Sequence, residues 1–261
     1  MSIEICAIVK NEARYIAEWL EYHILLGVSQ FTIYDNGSED ELSAVCNLFD
    51  CVTLLPWPYR DCQQRTAYQD YLRREGEKSI WTAFIDADEF IAPPPNVELL
   101  NMLSGLGSDI GGIEMPWVIF DSNEHDVAPP GLVMESYTRA HSIAPQRNVK
   151  TICRPRAVNV EEFLSPHRFS YNFGYRAVEA SIQQLPLFHY MLRSRADVRL
   201  KVARGDVWSQ ETERKRLANV DKAVQSILDK YDNADRSETR MLAVCPQIRK
   251  RLANRGLIVG G

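Results

Sequence analysis

Short apolar runs and amphipathic stretches alternate through the first hundred residues. Ile3–Val9 is an almost unbroken apolar run of strand length, and residues 12–26 follow with Ile16, Trp19, Leu20 and Ile24 on one helical face. Gly27 closes that helix, residues 31–34 read as a second strand, and Asp35-Asn36-Gly37-Ser38 carries strong turn signals. A helix over 41–49, a strand over 51–55 and a helix over 62–74 come next, then an apolar run over 81–90 that is stopped by Pro93-Pro94-Pro95. Strands alternating with helices predict βαβ units.

Past residue 100 the pattern loosens. Strands are expected over 112–120, 149–153 and 185–191, with a polar, proline-bearing loop over 121–131 and no assignable element in 154–175. From Ser194 the spacing turns helical and predicts three helices, over 194–204, 211–231 and 237–253. The expected fold is α/β, a Rossmann-like mixed and mostly parallel sheet flanked by helices over 1–205. A helical extension over 206–261 would pack on the same domain or on a second subunit as a homo-oligomer.

Three polar clusters fall at the carboxyl ends of predicted strands: Lys10-Asn11-Glu12, Asp35 to Asp40, and Asp86-Ala87-Asp88-Glu89. In an open parallel sheet those ends share one edge, where ligands bind. Crowded carboxylates repel and call for a cation, and hard oxygen donors favour magnesium or manganese with phosphate oxygens completing the shell. Asp86 and Asp88 are therefore candidate ligands of a metal-bound nucleotide diphosphate. Lys10 can neutralise phosphate, and Asn11, Asp35 and Asn36 can hydrogen-bond a base or ribose. Asn11 and Glu12 equally suit the cap and first turn of the next helix, and Asp35 to Ser38 equally suits a plain turn.

Composition narrows the classes. The net charge of -5 divides into +7 over residues 193–255 and -12 elsewhere. The basic end can attract a diphosphate or anionic headgroups, although solvated helices account for most of it. Overall acidity, with no basic motif interleaved with aromatics, disfavours nucleic acid. The six cysteines are scattered without a Cys-x-x-Cys pair, so neither a zinc site nor a redox motif is indicated. The sequence enters a strand without the basic-then-apolar pattern of a signal peptide, and no run approaches the roughly 18 apolar residues that span a bilayer. The expectation is a soluble cytoplasmic protein, docking peripherally at the inner face of a membrane if its acceptor is lipid-linked.

Val9-Lys10-Asn11-Glu12 with Glu18-Trp19, Ile33 to Ser38, and Phe84 to Phe90 resemble glycosyltransferase family 92 and the family-2-like group with the GT-A fold. Gln64 with Tyr68 and Asp70, His189-Tyr190 with Ser194, and Lys201 with Arg204-Gly205 extend the resemblance over about residues 3 to 205. It implies inverting transfer of a sugar from a UDP-sugar, UDP-galactose or a related UDP-hexose, to a glycan or glycolipid hydroxyl, as in building a surface polysaccharide. By position it gives the nucleotide to Lys10, Asn11, Glu12, Asp35 and Asn36, the Mn2+ or Mg2+ diphosphate to Asp86 and Asp88, and completion of the metal site to His189. Lys201 and Arg204 would neutralise the leaving diphosphate.

Inversion also requires a general base, for which Glu89, Asp121 and Glu124 are the candidates. Here the chain departs from the family. Phe120 to His125 replaces a glycine-serine-rich stretch ending in His, Phe188 stands where Asn commonly precedes His-Tyr, and a His pair is reduced to Pro166-His167. Among the aromatics Trp57 is expected to face ligand, whereas Trp81 and Trp117 suit the core. Two rival classes are a nucleotidyltransferase, disfavoured because Lys10-Asn11-Glu12-Ala13 is no glycine-rich phosphate loop, and a non-catalytic sugar-binding domain.

Overall fold

In a computed structural model of the chain, residues 2–59, 63–76, 79–162, 165–204 and 219–257 are described. Strand β1 (Ile3–Val9) is buried along most of its length because it lies between two parallel neighbours, β2 (Val28–Asp35) and β4 (Trp81–Phe84). β2 in turn pairs with the edge strand β3 (Val52–Pro56). Helix α1 (Ala13–Leu25) links β1 to β2, α2 (Leu42–Cys46) links β2 to β3, and α3 (Gln63–Glu75) precedes β4. Beyond β4 come β5 (Glu89–Ile91), α4 (Leu99–Ser104), β6 (Ile110–Ile119), α5 (Val133–Ser136), β7 (Arg139–Ala140) and β8 (Val149–Cys153). The remainder comprises β9 (Arg176–Glu179), β10 (Leu187–His189), α6 (Arg195–Arg204), α7 (Val220–Tyr231), β11 (Arg236–Ser237) and α8 (Cys245–Asn254).

The described residues divide into two units: those within 2–59, 63–117 and 148–187, and those within 118–147 and 188–257. The first unit carries the sheet, in the order β3-β2-β1-β4-β8-β6. β8 runs antiparallel to both of its neighbours, so β6 is parallel to β4, and β9 adds to β6 in parallel. The sheet is therefore mixed and mostly parallel, with helices over both faces. Tyr68, Tyr71 and Leu72 of α3 pack on Cys6, Ile8, Tyr34, Phe84 and Cys153. Trp19 of α1 meets Phe31, which the strand period of two turns to the opposite face from Tyr34.

The second unit is built on shorter pieces. β7 pairs with β11 in antiparallel fashion, and Phe120 forms an isolated bridge with Ala140. Its aromatic centre stacks Phe120 on Tyr190 at 4.3 Å, and Val198, Val224, Ile248 and Leu252 are buried from the helices. Asn219 caps α7 by accepting from the Lys222 amide. No described helix is long and apolar enough to cross a membrane.

Several sequence expectations are corrected. The acidic run is not one strand over 81–90: β4 ends at Phe84, and a turn separates it from β5 because Asp86 and Glu89 bond each other instead of a neighbouring strand. The helix expected over 237–253 is a 3-10 turn at Arg240–Ala243 followed by α8, since Pro246 lacks an amide hydrogen and is tolerated in the first helical turn. Of the helix expected over 211–231, residues 211–218 lie outside the described residues and α7 forms the rest. The helix expected over 41–49 shortens to Leu42–Cys46, and the strand over 185–191 to Leu187–His189.

Candidate functional site

Register places the three polar clusters together. Val9 lies opposite Asp35, and Cys6 lies opposite Phe84, so β1, β2 and β4 deliver the chain to one edge of the sheet. The first two loops are then stitched to one another. The Asn11 amide donates to Ser38 Oγ at 2.9 Å, and Asn11 Oδ1 accepts from the Glu39 amide at 2.8 Å. Asn11 adopts a left-handed backbone with φ 55°, which a short polar side chain tolerates better than a bulky one. The first amide of α1, at Ala13, is satisfied by Asp40 Oδ2 at 2.8 Å rather than by Asn11 or Glu12. Asp35 closes its own turn by accepting from the Ser38 amide at 2.8 Å. Lys10 is half-buried and Glu12 buried at this corner.

Asn36 has a different task. Its side-chain amide donates to the carbonyls of Trp57, at 2.7 Å, and Tyr59, at 3.0 Å. Trp57 is held edge-on between Tyr34 and Tyr59 and packs against the buried cluster under α3, so the exposed ring of this ladder is Tyr59.

The Asp86 turn is gripped from several sides. The Asp86 amide donates to Glu89 Oε2 at 2.7 Å, and the Glu89 amide donates back to the Asp86 carbonyl. Gln64 of α3 donates to Asp86 Oδ1 at 2.5 Å and to Tyr68 Oη at 3.1 Å. Lys150 of β8, whose side chain is wholly buried, places Nζ 2.8 Å from Asp86 Oδ2 and 3.7 Å from Glu89 Oε2. Burial pushes the Glu89 carboxyl well up, against the pull of the Lys150 ammonium. Burial alone would lower the Lys150 value, but Asp86 and Glu89 outweigh it and hold the ammonium above its ordinary value. Asp86 and Asp88 keep partial solvent access, whereas Glu89 has none.

This donor set fits a hard divalent cation that takes one or two carboxylates and completes its shell with substrate phosphate and water. Among the described residues no three His, Cys, Asp or Glu side chains gather into a closed cage.

The remaining candidates belong to the second unit. Asp121 is buried and accepts from the amides of Asn123, at 2.9 Å, and Ala234, at 3.0 Å, while Arg139 pairs with it at 3.0 Å. Burial raises its carboxyl above the usual value, with those two amides and Arg139 pulling the other way. The same arginine reaches Glu124 at 2.8 Å, and the Glu124 side chain is 77% exposed. Asn123 and Glu124 both have left-handed backbones, at φ 48° and 64°. His189 is buried, with its carbonyl accepting from the Phe120 amide. Lys201 donates to the Met191 carbonyl at 2.6 Å, and Arg204 ends α6. His141 bonds the Tyr231 carbonyl, and in the first unit His167 bonds the Val149 carbonyl.

Lys150 is the residue that sequence reasoning misses. Its signal is a lone lysine inside Val149-Lys150-Thr151-Ile152-Cys153, a strand buried at every position. A lysine is almost never fully buried unless paired, so an acid partner had to exist elsewhere in the fold.

A glycosyltransferase family 92 protein of Oryza sativa subsp. japonica is 31% identical over 195 residues, covering 72% of this chain and 33% of the relative. One of Ricinus communis is 30% identical over 193 residues, covering 71% of this chain and 34% of the relative. The chain thus spans about a third of the length of the curated relatives it matches. Among solved structures, glucosyl-3-phosphoglycerate synthase from Mycobacterium tuberculosis in complex with phosphoglyceric acid is 20% identical with a TM-score of 0.34, covering 44% of each chain. HddC from Yersinia pseudotuberculosis is 9% identical with a TM-score of 0.42, covering 71% of this chain and 92% of that one. Residues 3–234 match the family model itself, and the chain belongs to glycosyltransferase family 92.

Proposed function

We propose that the chain is the catalytic portion of an inverting, metal-assisted glycosyltransferase with a GT-A type donor site. It moves a hexose from a UDP-sugar to a hydroxyl of a glycan or glycolipid. The observation that carries this reading is the single sheet edge on which Lys10, Asn11, Asp35, Asn36, Asp86 and Asp88 converge in a family 92 chain. The stitched loops of Asn11 and Asp35 form the nucleotide side, with Tyr59 as the exposed aromatic beside them. Asp86 and Asp88 are the residues that would hold a Mn2+ or Mg2+ at the diphosphate end. When bound, that metal would offset the charge of the leaving diphosphate, a task to which Lys10 also contributes.

The acceptor hydroxyl must lose a proton to a positioned carboxylate. Glu89 and Asp121 are committed to backbone amides inside the protein, whereas Glu124 lies open to solvent on a strained loop. Strained, non-glycine left-handed residues cluster at functional sites. Glu124 is accordingly the base in this reading, with Arg139 fixing its orientation.

The test incubates purified protein with a panel of nucleotide sugars and candidate acceptors in manganese, with and without chelator, and follows nucleoside diphosphate release. Chelator-sensitive UDP release that Asp88→Ala abolishes in a folded protein is the expected result. Pyrophosphate formation would reassign the chain to nucleotidyl transfer, and binding without turnover would make it a sugar-binding domain.

A further inference from the structure

Asp86 is a half-exposed carboxylate whose two oxygens are both held by other side chains, Oδ1 by Gln64 at 2.5 Å and Oδ2 by Lys150 at 2.8 Å. The choice of partner is informative. A buried ammonium needed only to neutralise the buried acid of this cluster would sit against Glu89, yet Lys150 Nζ is 3.7 Å from Glu89 and at hydrogen-bond distance from the accessible Asp86. Its backbone is fixed as well: Lys150 lies opposite Met115 of β6, and the next residues of β8, Thr151 and Ile152, lie opposite Phe84 and Ala83 of β4. A side chain anchored between two strands and aimed at one carboxylate oxygen restrains that carboxylate in a way no loop residue can. Sites gain affinity when the supporting groups remove such freedom before ligand arrives.

Building on the donor site proposed above, we infer that Lys150 is a positioning residue for UDP, acting through Asp86. With Gln64 it clamps the Asp86 carboxylate in one orientation, so that the turn from Asp86 to Glu89 presents a single arrangement of oxygens to the diphosphate end of the nucleotide. Lys150 does not itself touch the donor. Its loss lets Asp86 rotate and the turn sample several arrangements, and the deficit appears in donor affinity.

The experiment is a double-mutant cycle read by calorimetric UDP binding in manganese. Lys150→Met/Glu89→Gln removes the ammonium and the buried acid facing it together, so that neither is left behind unpaired while the clamp is lost. It is combined with Asp86→Asn, and Lys150→Arg serves as the conservative variant. Circular dichroism and the thermal midpoint establish folding in each case. The expected result is UDP affinity weakened on the order of 10-fold in Lys150→Met/Glu89→Gln, as for loss of an outer-shell partner. Lys150→Arg should recover part of it, and in an Asp86→Asn background the Met/Gln pair should add little further loss, because residues acting as one unit are non-additive. Wild-type UDP affinity in the Met/Gln protein, or losses that add in full, would overturn the role of Lys150 while leaving the donor site standing. Failure of both Lys150 variants to fold would assign the lysine to the core and overturn it as well. Absence of UDP binding by the wild-type protein would overturn the donor site and this role together.

Discussion

The side-chain amide of Asn36 donates to the Trp57 carbonyl at 2.7 Å, tying the turn after β2 to the chain leaving β3. The same amide reaches the Tyr59 carbonyl, so one residue fixes both the aromatic ladder and the loop that carries it. Asn36→Ala removes both bonds and leaves two carbonyls to water. A stability loss of about 1–2 kcal/mol is expected, with a red shift of tryptophan emission as Trp57 loosens. Urea unfolding and emission spectra measure both; an unchanged midpoint and spectrum would show that the ladder stands without the clamp.

His23 predicts a pH dependence. It is fully buried in α1, with Nδ1 2.8 Å from the Trp19 carbonyl and Nε2 accepting from the Ile91 amide at 3.4 Å. Burial pushes its pKa down from 6.5 to about 3, against the pull of the Trp19 carbonyl. The unfolded chain therefore takes up a proton that the folded chain refuses. Stability from this group is complete above pH 6.5 and falls as pH drops through the window down to about 3, by at most about 1.4 kcal/mol per pH unit. Urea midpoints of the wild type between about pH 5 and 6.5 should fall more steeply with acid than those of His23→Gln, which cannot titrate.

Asp121 and Glu124 share Arg139 yet should fail differently. Asp121→Ala strips acceptors from two backbone amides and leaves Arg139 without its buried partner, at a cost of about 2–3 kcal/mol in unfolding free energy. Glu124→Ala removes an exposed carboxylate and should change stability by no more than about 0.5 kcal/mol. On the proposal that Glu124 is the base, its loss should nonetheless lower kcat by about 100-fold or more, with the donor KM little altered. A Glu124→Ala enzyme of normal kcat would return the search to other acids.

Gly112 lies in β6 against Tyr171. A Cβ there would overlap the Tyr171 hydroxyl and stand 2.9 Å from the ring carbon Cζ, with Cys153 Cβ at 3.3 Å. Gly112→Ala should therefore destabilise by about 1–3 kcal/mol through overpacking. Gly112→Ala/Tyr171→Leu, which shortens the obstructing ring, should recover part of that loss in thermal melts; no recovery would place the strain in the strand itself.

The elements legible in the sequence are those whose burial is decided by one strand or helix face. Ile3–Val9 and Val149–Cys153 form strands as their apolar runs predict, because both are buried between neighbours. The convergence of Lys10, Asp35 and Asp86 was legible for the same reason, since parallel strands send their carboxyl ends to one edge. Glu89 was not. Its carboxylate at a strand end suits structure and catalysis alike, and only the turn shows it folded inward onto the Asp86 amide. Trp57 was expected toward ligand and instead packs between Tyr34 and Tyr59, an arrangement set by Asn36 rather than by any local pattern. Lys150 and Asp86 are 64 residues apart, and only the pairing of β8 beside β4 brings them together.

Because β8 enters the sheet against the direction of its neighbours, it contributes its first residues, not its last, to the edge where β4 ends. The Asp86 turn is therefore not a portable module of the amino-terminal half. A fragment ending near Ile91 would keep the acids and lose their counter-ion, and exchanging β1 to β4 alone would part Asp86 from Lys150. Any exchange that moves β1 to β4 of this chain therefore has to carry β8 with them, as one unit split across the sequence.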